Sequence, residues 1–239
     1  MGYYVKFDLC TYILQDKGCI STIYENISEA KEKGLEGIGI VARGSVHTGD
    51  KSLEPVKEIL NLPSEIKGIK ILKGVEGSLL SLGRTETDID INLIDKGDFS
   101  LVSYYKESFP NFIPDGSKIT GTLKTCLLSD KINGVGQFTF LESNVNLRDL
   151  IAHCKAHKKF IEFSNDKIKT GRISEADAYK IAALCKDFEV PIIVTSGARL
   201  FSDVGDFSEV FKILEKVDFP QKLILNEKKS KFMDYIHNT

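Results

Sequence analysis

Seven short apolar runs, rich in β-branched and aromatic residues, recur at intervals of about 30 residues along the chain. They are Tyr3–Leu9, Gly37–Val41, Ile69–Val75, Phe99–Tyr105, Asn133–Phe138, Phe160–Ser164 and Pro191–Ser196. Most are almost continuously apolar rather than alternating, the pattern of parallel strands covered on both faces. Amphipathic stretches lie between them. Ile23, Ile27 and Ala30 keep helical spacing and lead to Gly34, which suits a helix C-terminus. Leu150, Ile151 and Cys154 share one face of a helix opened by Asn146. Ser174 and Asp177 have the spacing of a capping box before Ala178, Ile181, Ala182 and Cys185. Phe207, Val210, Phe211 and Leu214 follow the same periodicity, while Ser81–Lys96 and Asn111–Ser117 read as loops.

Repeated strand–helix alternation without a Pro/Gly/Ser-rich linker predicts one α/β domain over residues 1–239. A barrel fits better than an open sheet, because no Gly-x-Gly-x-x-Gly turn follows the first strand. In a barrel, functional side chains collect at the C-terminal ends of the strands. Those ends are Asp8–Tyr12, Ala42–Ser45, Glu76–Ser78, Tyr105–Glu107, Gln137–Thr139, Asn165–Lys167 and Gly197–Arg199.

Composition narrows the function classes. With 32 basic and 34 acidic residues, a formal charge of -2 gives no support for a wholly basic, polyanion-binding surface, so nucleic acid is not an expected partner. No apolar run approaches the roughly 20 residues that span a bilayer, and the opening residues do not resemble a signal peptide. A cytoplasmic protein without membrane association is expected. Five scattered cysteines with no Cys-x-x-Cys pair read as reduced thiols rather than a disulfide framework or zinc ribbon.

Several stretches carry a family resemblance: Phe7-Asp8-Leu9 with Ser21-Thr22 downstream, Ala30 to Leu35, and Ile71-Leu72-Lys73-Gly74-Val75-Glu76. Asp203 to Phe207, Phe219-Pro220 and Leu223 to Asn226 extend it toward the C-terminus. Together they resemble the polymerase and histidinol phosphatase (PHP) superfamily of metal-dependent phosphoesterases, in its small, phosphatase-like branch. The resemblance implies a distorted (β/α)7 barrel with up to three metal ions at the strand C-termini.

The ligand positions that the resemblance implies are largely substituted. Where the family reads Asp-Leu-His-x-His, this chain reads Asp8-Leu9-Cys10-Thr11-Tyr12; the next histidine corresponds to Gly18. The family's Thr-Asp-His-Gly is here Val41-Ala42-Arg43-Gly44. The histidines ending the fourth and fifth strands correspond to Tyr105 and Gln137, and Ser-Asp-x-His has become Ser196-Gly197-Ala198-Arg199. Only the bridging carboxylate, Glu76, remains. A hydrolytic cluster needs several imidazoles and carboxylates converging on each ion. Glu76, Cys10 and Asp8 are the remnant metal candidates, and they are too few to activate water. No cofactor is therefore expected; Zn or Mn enters only if a reduced or relocated site survives.

Arg43 and Arg199 place fixed positive charge where cations would sit, and Lys106 follows Tyr105. Two readings stay open. The guanidiniums either fill the vacated space and pair with Glu76, or form a metal-free pocket for phosphate or carboxylate. Candidate binding residues are Arg43, Arg199, Glu76, Tyr105, Lys106 and Gln137. Tyr12 and Tyr105 are expected to fill the former metal site, and Cys10 to be an inert buried thiol. His153 and His157, four apart among lysines, read as a solvated helix face, His47 as a surface histidine, and the basic run Lys228–Lys231 as the face of a final helix.

Three functional expectations follow. The first is a catalytically degenerate, phosphoesterase-like barrel that binds or scaffolds and holds a small anion at its mouth. The second is an active hydrolase of a small phosphate ester. The third is a protein- or RNA-interaction module.

Overall fold

The computed structural model describes residues 2–14, 16, 18–49, 51–109, 115–138 and 145–238, and for Gln137 and Phe138 the backbone only. Eight strands form one sheet: β1 Phe7–Thr11, β2 Gly37–Arg43, β3 Glu65–Ile66, β4 Ile69–Ser78, β5 Phe99–Tyr104, β6 Gly134–Phe138, β7 Phe160–Ser164 and β8 Ile192–Thr195. Seven run in the order β1-β2-β4-β5-β6-β7-β8 with parallel pairing throughout, and β3 is a two-residue antiparallel appendage of β4. Each apolar run predicted from sequence lies on one of these seven strands. The product is a nearly closed parallel barrel, the (β/α)7 architecture that the alternation predicts.

Both faces of the strands are buried, and their side chains divide into two clusters. Ile38, Ile40, Ile71, Val75, Val102, Ile161, Phe163, Ile192 and Val194 join the cores of the surrounding helices. Phe7, Leu9, Val41, Leu72, Phe99, Leu101, Phe160 and Ile193 form the other cluster, which fills the barrel. Phe232, from the helix Lys229–His237, stands edge-on to Phe99 and Phe160 with ring centroids 5.5 and 5.7 Å away.

The barrel closes at the β1–β8 seam through side chains and loop backbone. Asn226 donates from Nδ2 to the carbonyls of Phe7 and Val194 and accepts from the Val194 N–H, spanning both strands. At the other end, the N–H groups of Gly197 and Tyr12 donate to the carbonyls of Cys10 and Ala198 at 3.1 and 3.0 Å. The parallel register slips twice. Asp8 to Thr11 on β1 spans Ile38 to Ile40, and Val102 to Tyr104 on β5 spans Val135 to Phe138. These bulges fall at Cys10 and Gln137, two positions where the resemblance leads one to expect ligands, and bulges re-aim side chains next to active sites.

The helix signals hold. Thr22 closes a capping box with Glu25 ahead of the helix Ile23–Glu32, Asn146 caps Leu147–Ala156, and Ser174 caps Glu175–Asp187. The expected loops need correction. Ser81–Lys96 contains the one-turn helix Ile91–Ile94, and the helix Gly116–Cys126 opens inside the predicted Asn111–Ser117 loop because Asp115 caps it through the Ser117 N–H. Residues 111–114 of that loop lie outside the described residues. Among the described residues, no helix is long and apolar enough to cross a membrane.

Candidate functional site

The C-terminal strand ends converge on a buried polar cluster. Arg43, the last residue of β2, pairs in register with Glu76 on β4. Its side chain is completely buried, with the guanidinium carbon 3.9 Å above the centre of the Tyr12 ring. Arg43 Nε donates to Asp16 in the loop after β1. For Arg43 the reading that pairs it with Glu76 is therefore corrected: its ion-pair partner is Asp16, which carries no signal in the sequence beyond being one more loop acid. Nη1 and Nη2 of Arg43 are buried and make no hydrogen bond among the described residues. Arg199 approaches the same Tyr12 ring, with 6.0 Å between guanidinium carbon and ring centre.

Glu76 is held by hydroxyls. Its Oε1 accepts from Ser103 Oγ and, at 2.8 Å, from the Tyr105 phenol, while Oε2 is buried with no hydrogen-bond partner among the described residues. Gly136 of β6 makes room for this arrangement. A Cβ there would stand 2.7 Å from Glu76 Oε1 and closer still to Ser103 Oγ. Tyr105 therefore belongs to the site as expected. Lys106 does not join the buried set; it is exposed on the single 3-10 turn that follows. Gln137 lies on β6, but its side chain is outside the described residues.

Four residues enter the site that sequence reasoning missed or set aside. Glu162 is the central residue of β7, and its neighbours Ile161 and Phe163 pack outward, so it points into the barrel. Burial and then the nearby Glu76 carboxylate push its pKa up to about 7, and its Oε1 accepts from Thr195 at 2.8 Å. A single acid inside the apolar run Phe160–Ser164 was the available signal. Lys167, on the short helix Asn165–Lys169 after β7, is 1% exposed. Burial, then Arg172, Arg43 and Arg199, lower its pKa to about 8. Its ammonium lies 3.7 Å from Asp166 Oδ2 and makes no hydrogen bond among the described residues. Ser164 Oγ at the end of β7 is also buried without a hydrogen-bond partner among them.

His47 is the fourth, and its expected surface role is overturned. On the turn Ser45–Thr48 after β2, its ring packs edge-on against Tyr105 at 4.0 Å. Burial, followed by Arg43, Lys167, Arg199 and Arg172, lowers its pKa to about 2, so it is neutral. By contrast, the His153 and His157 rings lie 4.2 Å apart at a 40° tilt, on the helix Leu147–Ala156 and its C-terminal cap, with His153 Nε2 2.9 Å from the Lys124 carbonyl.

The remnant donors do not suit a metal cluster. Asp8 uses one oxygen on the Ser196 N–H and the other on the Gly205 N–H, at 3.0 and 2.9 Å. It braces the β8 loop. The Cys10 thiol donates to the Tyr12 hydroxyl at 3.1 Å, and burial, with Glu162 and Glu76 nearby, raises its pKa strongly. Burial thus favours the neutral thiol in the metal-free protein. Among the described residues, no group of three or more His, Cys, Asp or Glu side chains could hold a metal ion.

Against this geometry, the comparisons with known proteins are informative. No family model matches the chain. A probable phosphatase of Caldanaerobacter subterraneus subsp. tengcongensis is 28% identical over 230 residues, covering 96% of this chain and 90% of that protein. A probable phosphatase of Acetivibrio thermocellus is 28% identical over 231 residues, covering 96% and 94%. The histidinol phosphate phosphatase of Lactococcus lactis, solved with zinc, L-histidinol and phosphate, superposes with a TM-score of 0.62 at 15% identity, covering 90% and 94%. The chain is thus similar to probable phosphatases along nearly its whole length and shares the barrel fold of the histidinol phosphate phosphatase. A chain of an archaeal ribonuclease P solved with mature tRNA has the same fold, with a TM-score of 0.65 at 15% identity. At the strand ends of this barrel, arginine, lysine and tyrosine stand among two buried carboxylates, Glu76 and Glu162.

Proposed function

We propose that this barrel is a member of the PHP superfamily that has given up metal-dependent phosphoester hydrolysis and binds a small anion, phosphate or carboxylate, directly at its strand ends through Arg43 and Arg199. One observation carries the reading: the two terminal nitrogens of Arg43 are buried without an acceptor among the described residues. A guanidinium does not shed its proton at physiological pH, so these donors stay charged and call for an anionic partner. The donor set described above supports the loss of hydrolysis, because it supplies no trio of ligands for an ion that would generate hydroxide. Arginine holds a phosphate without cleaving it.

The rival reading is an active phosphoesterase with a reduced or relocated site for Zn or Mn. It is favoured by the probable phosphatases related along 96% of the chain, and by Glu162, a second buried carboxylate beside Glu76. Metal analysis of purified protein, paired with p-nitrophenyl phosphate turnover in added Zn2+ or Mn2+, separates the two. We expect well under one metal per chain and no metal-dependent turnover. Stoichiometric metal with turnover abolished by Glu76→Ala would establish the rival. An interaction with RNA has weaker support: the fold is shared with the ribonuclease P chain, but the short basic run Lys228–Lys231 is flanked by Glu227 and Asp234.

A further inference from the structure

The cations at the strand ends are unequal in one respect. Arg43 has an ion pair with Asp16 and no means of losing its charge, whereas Lys167 can respond to its surroundings. Lys167 is buried as deeply as a core leucine, yet its ammonium makes no hydrogen bond among the described residues. The groups that weigh on it are the cations Arg172, Arg43 and Arg199 and the acid Asp166, 3.7 Å away. From β7 the Glu162 carboxyl senses the lysine, and from the turn after β2 so does neutral His47. Burying an ammonium among guanidiniums, with one loosely held acid, costs several kcal/mol unless a further negative group arrives.

We propose that Lys167 is the anchoring cation of the anion site and that its ligand is a doubly charged phosphate monoester group, bound with uptake of a proton by the lysine. This deepens the anion-binding reading and rests on it. Donor count selects the ligand class. Two unengaged guanidinium nitrogens, three ammonium hydrogens and the Ser164 hydroxyl exceed what the two oxygens of a carboxylate accept, and suit the three terminal oxygens of a phosphate monoester. The balance is simple: the fraction of the lysine that is neutral near pH 8 takes its proton from solvent as the dianion enters, and no covalent bond forms or breaks. Since the free lysine titrates near 8, ligand affinity should decline as pH rises beyond that point.

The test is calorimetric titration of the full chain with inorganic phosphate, and with sulfate as a dianion of constant charge, at pH 7.5 and 9.5. Buffers of different ionisation heat report proton uptake. Wild-type affinity for both anions is expected to fall at least about tenfold between the two pH values, with proton uptake near pH 8. Lys167→Met should weaken binding at pH 7.5 by about tenfold or more and abolish both the pH dependence and the proton uptake. Thermal unfolding of the variant verifies that it is folded. If Lys167→Met binds phosphate as tightly as wild type, the lysine assignment falls while the arginine pocket stands. If the wild type binds neither anion at millimolar concentration, the pocket itself is refuted.

Discussion

The two ends of the barrel interior are built from the same seven strands and solve opposite problems. At the N-terminal end of the strands, Phe7, Phe99, Phe160 and Phe232 interdigitate, and the buried polar residue there, Asn226, spends its side chain on three backbone partners. At the C-terminal end, Arg43, Glu76, Glu162, Ser164 and Lys167 each keep at least one buried polar atom without a hydrogen bond among the described residues. Stability is concentrated at one end and unspent interaction capacity at the other. In native proteins such groups mark functional sites or places where ordered water or an ion completes the bonding.

Three perturbations probe this contrast. The largest is Phe232→Ala at the closed end. Removing a wholly buried aromatic ring should cost about 3–5 kcal/mol in urea-induced unfolding. A loss below about 1 kcal/mol would mean that the plug is not what stabilises that end. At the open end the sign reverses. Lys167→Met should stabilise the ligand-free protein at pH 7 by roughly 2–3 kcal/mol, because the native lysine titrates near 8 rather than 10.5. Below pH 8 the penalty for holding the charged amine is fully present. It is relieved as pH rises from 8 to 10.5, so the parent's stability should climb toward that of the variant over this interval. Parallel curves for the two proteins would contradict the assignment.

The smallest effect is a cancellation. Glu162, raised to about 7, makes the folded state hold a proton that the unfolded chain releases above 4.5, so its contribution declines as pH rises from 4.5 to 7. His47, lowered to about 2, does the reverse: the unfolded chain takes up a proton below 6.5 and the folded one does not, so its contribution grows as pH rises toward 6.5. Between 4.5 and 6.5 the two slopes oppose each other. Relative to the parent, Glu162→Gln should gain about 2 kcal/mol across that window and His47→Phe should lose a similar amount. Chemical denaturation at closely spaced pH values checks both, and equal slopes in all three proteins would show that neither group is perturbed.

The closed end was legible in the sequence because it obeys periodicity. Near-continuous apolar runs announced strands covered on both faces, and Asn146, Ser174 and Gly34 marked helix ends that the structure reproduces. The open end was legible only in part. Arg43, Glu76 and Tyr105 stood out because they occupy strand ends. Glu162 was an acid hidden inside a strand, visible only by asking which way the middle of Phe160–Ser164 faces. Lys167 fell within the strand end Asn165–Lys167, but nothing local in Asn-Asp-Lys-Ile-Lys marks its ammonium as buried. His47 sits in a polar segment and is drawn inward by packing on Tyr105. Asp16 pairs with an arginine 27 positions away, a contact no local pattern encodes.

The Asn226 bridge has a consequence for how the chain is made. Its amide links Phe7 to a position 219 residues further on, so the start of the first strand lacks this partner until residue 226 has left the ribosome. Seams joined this late in synthesis fold slowly and leave a sticky border in the nascent chain. Truncation before residue 226 should therefore yield an aggregation-prone product rather than a smaller soluble barrel.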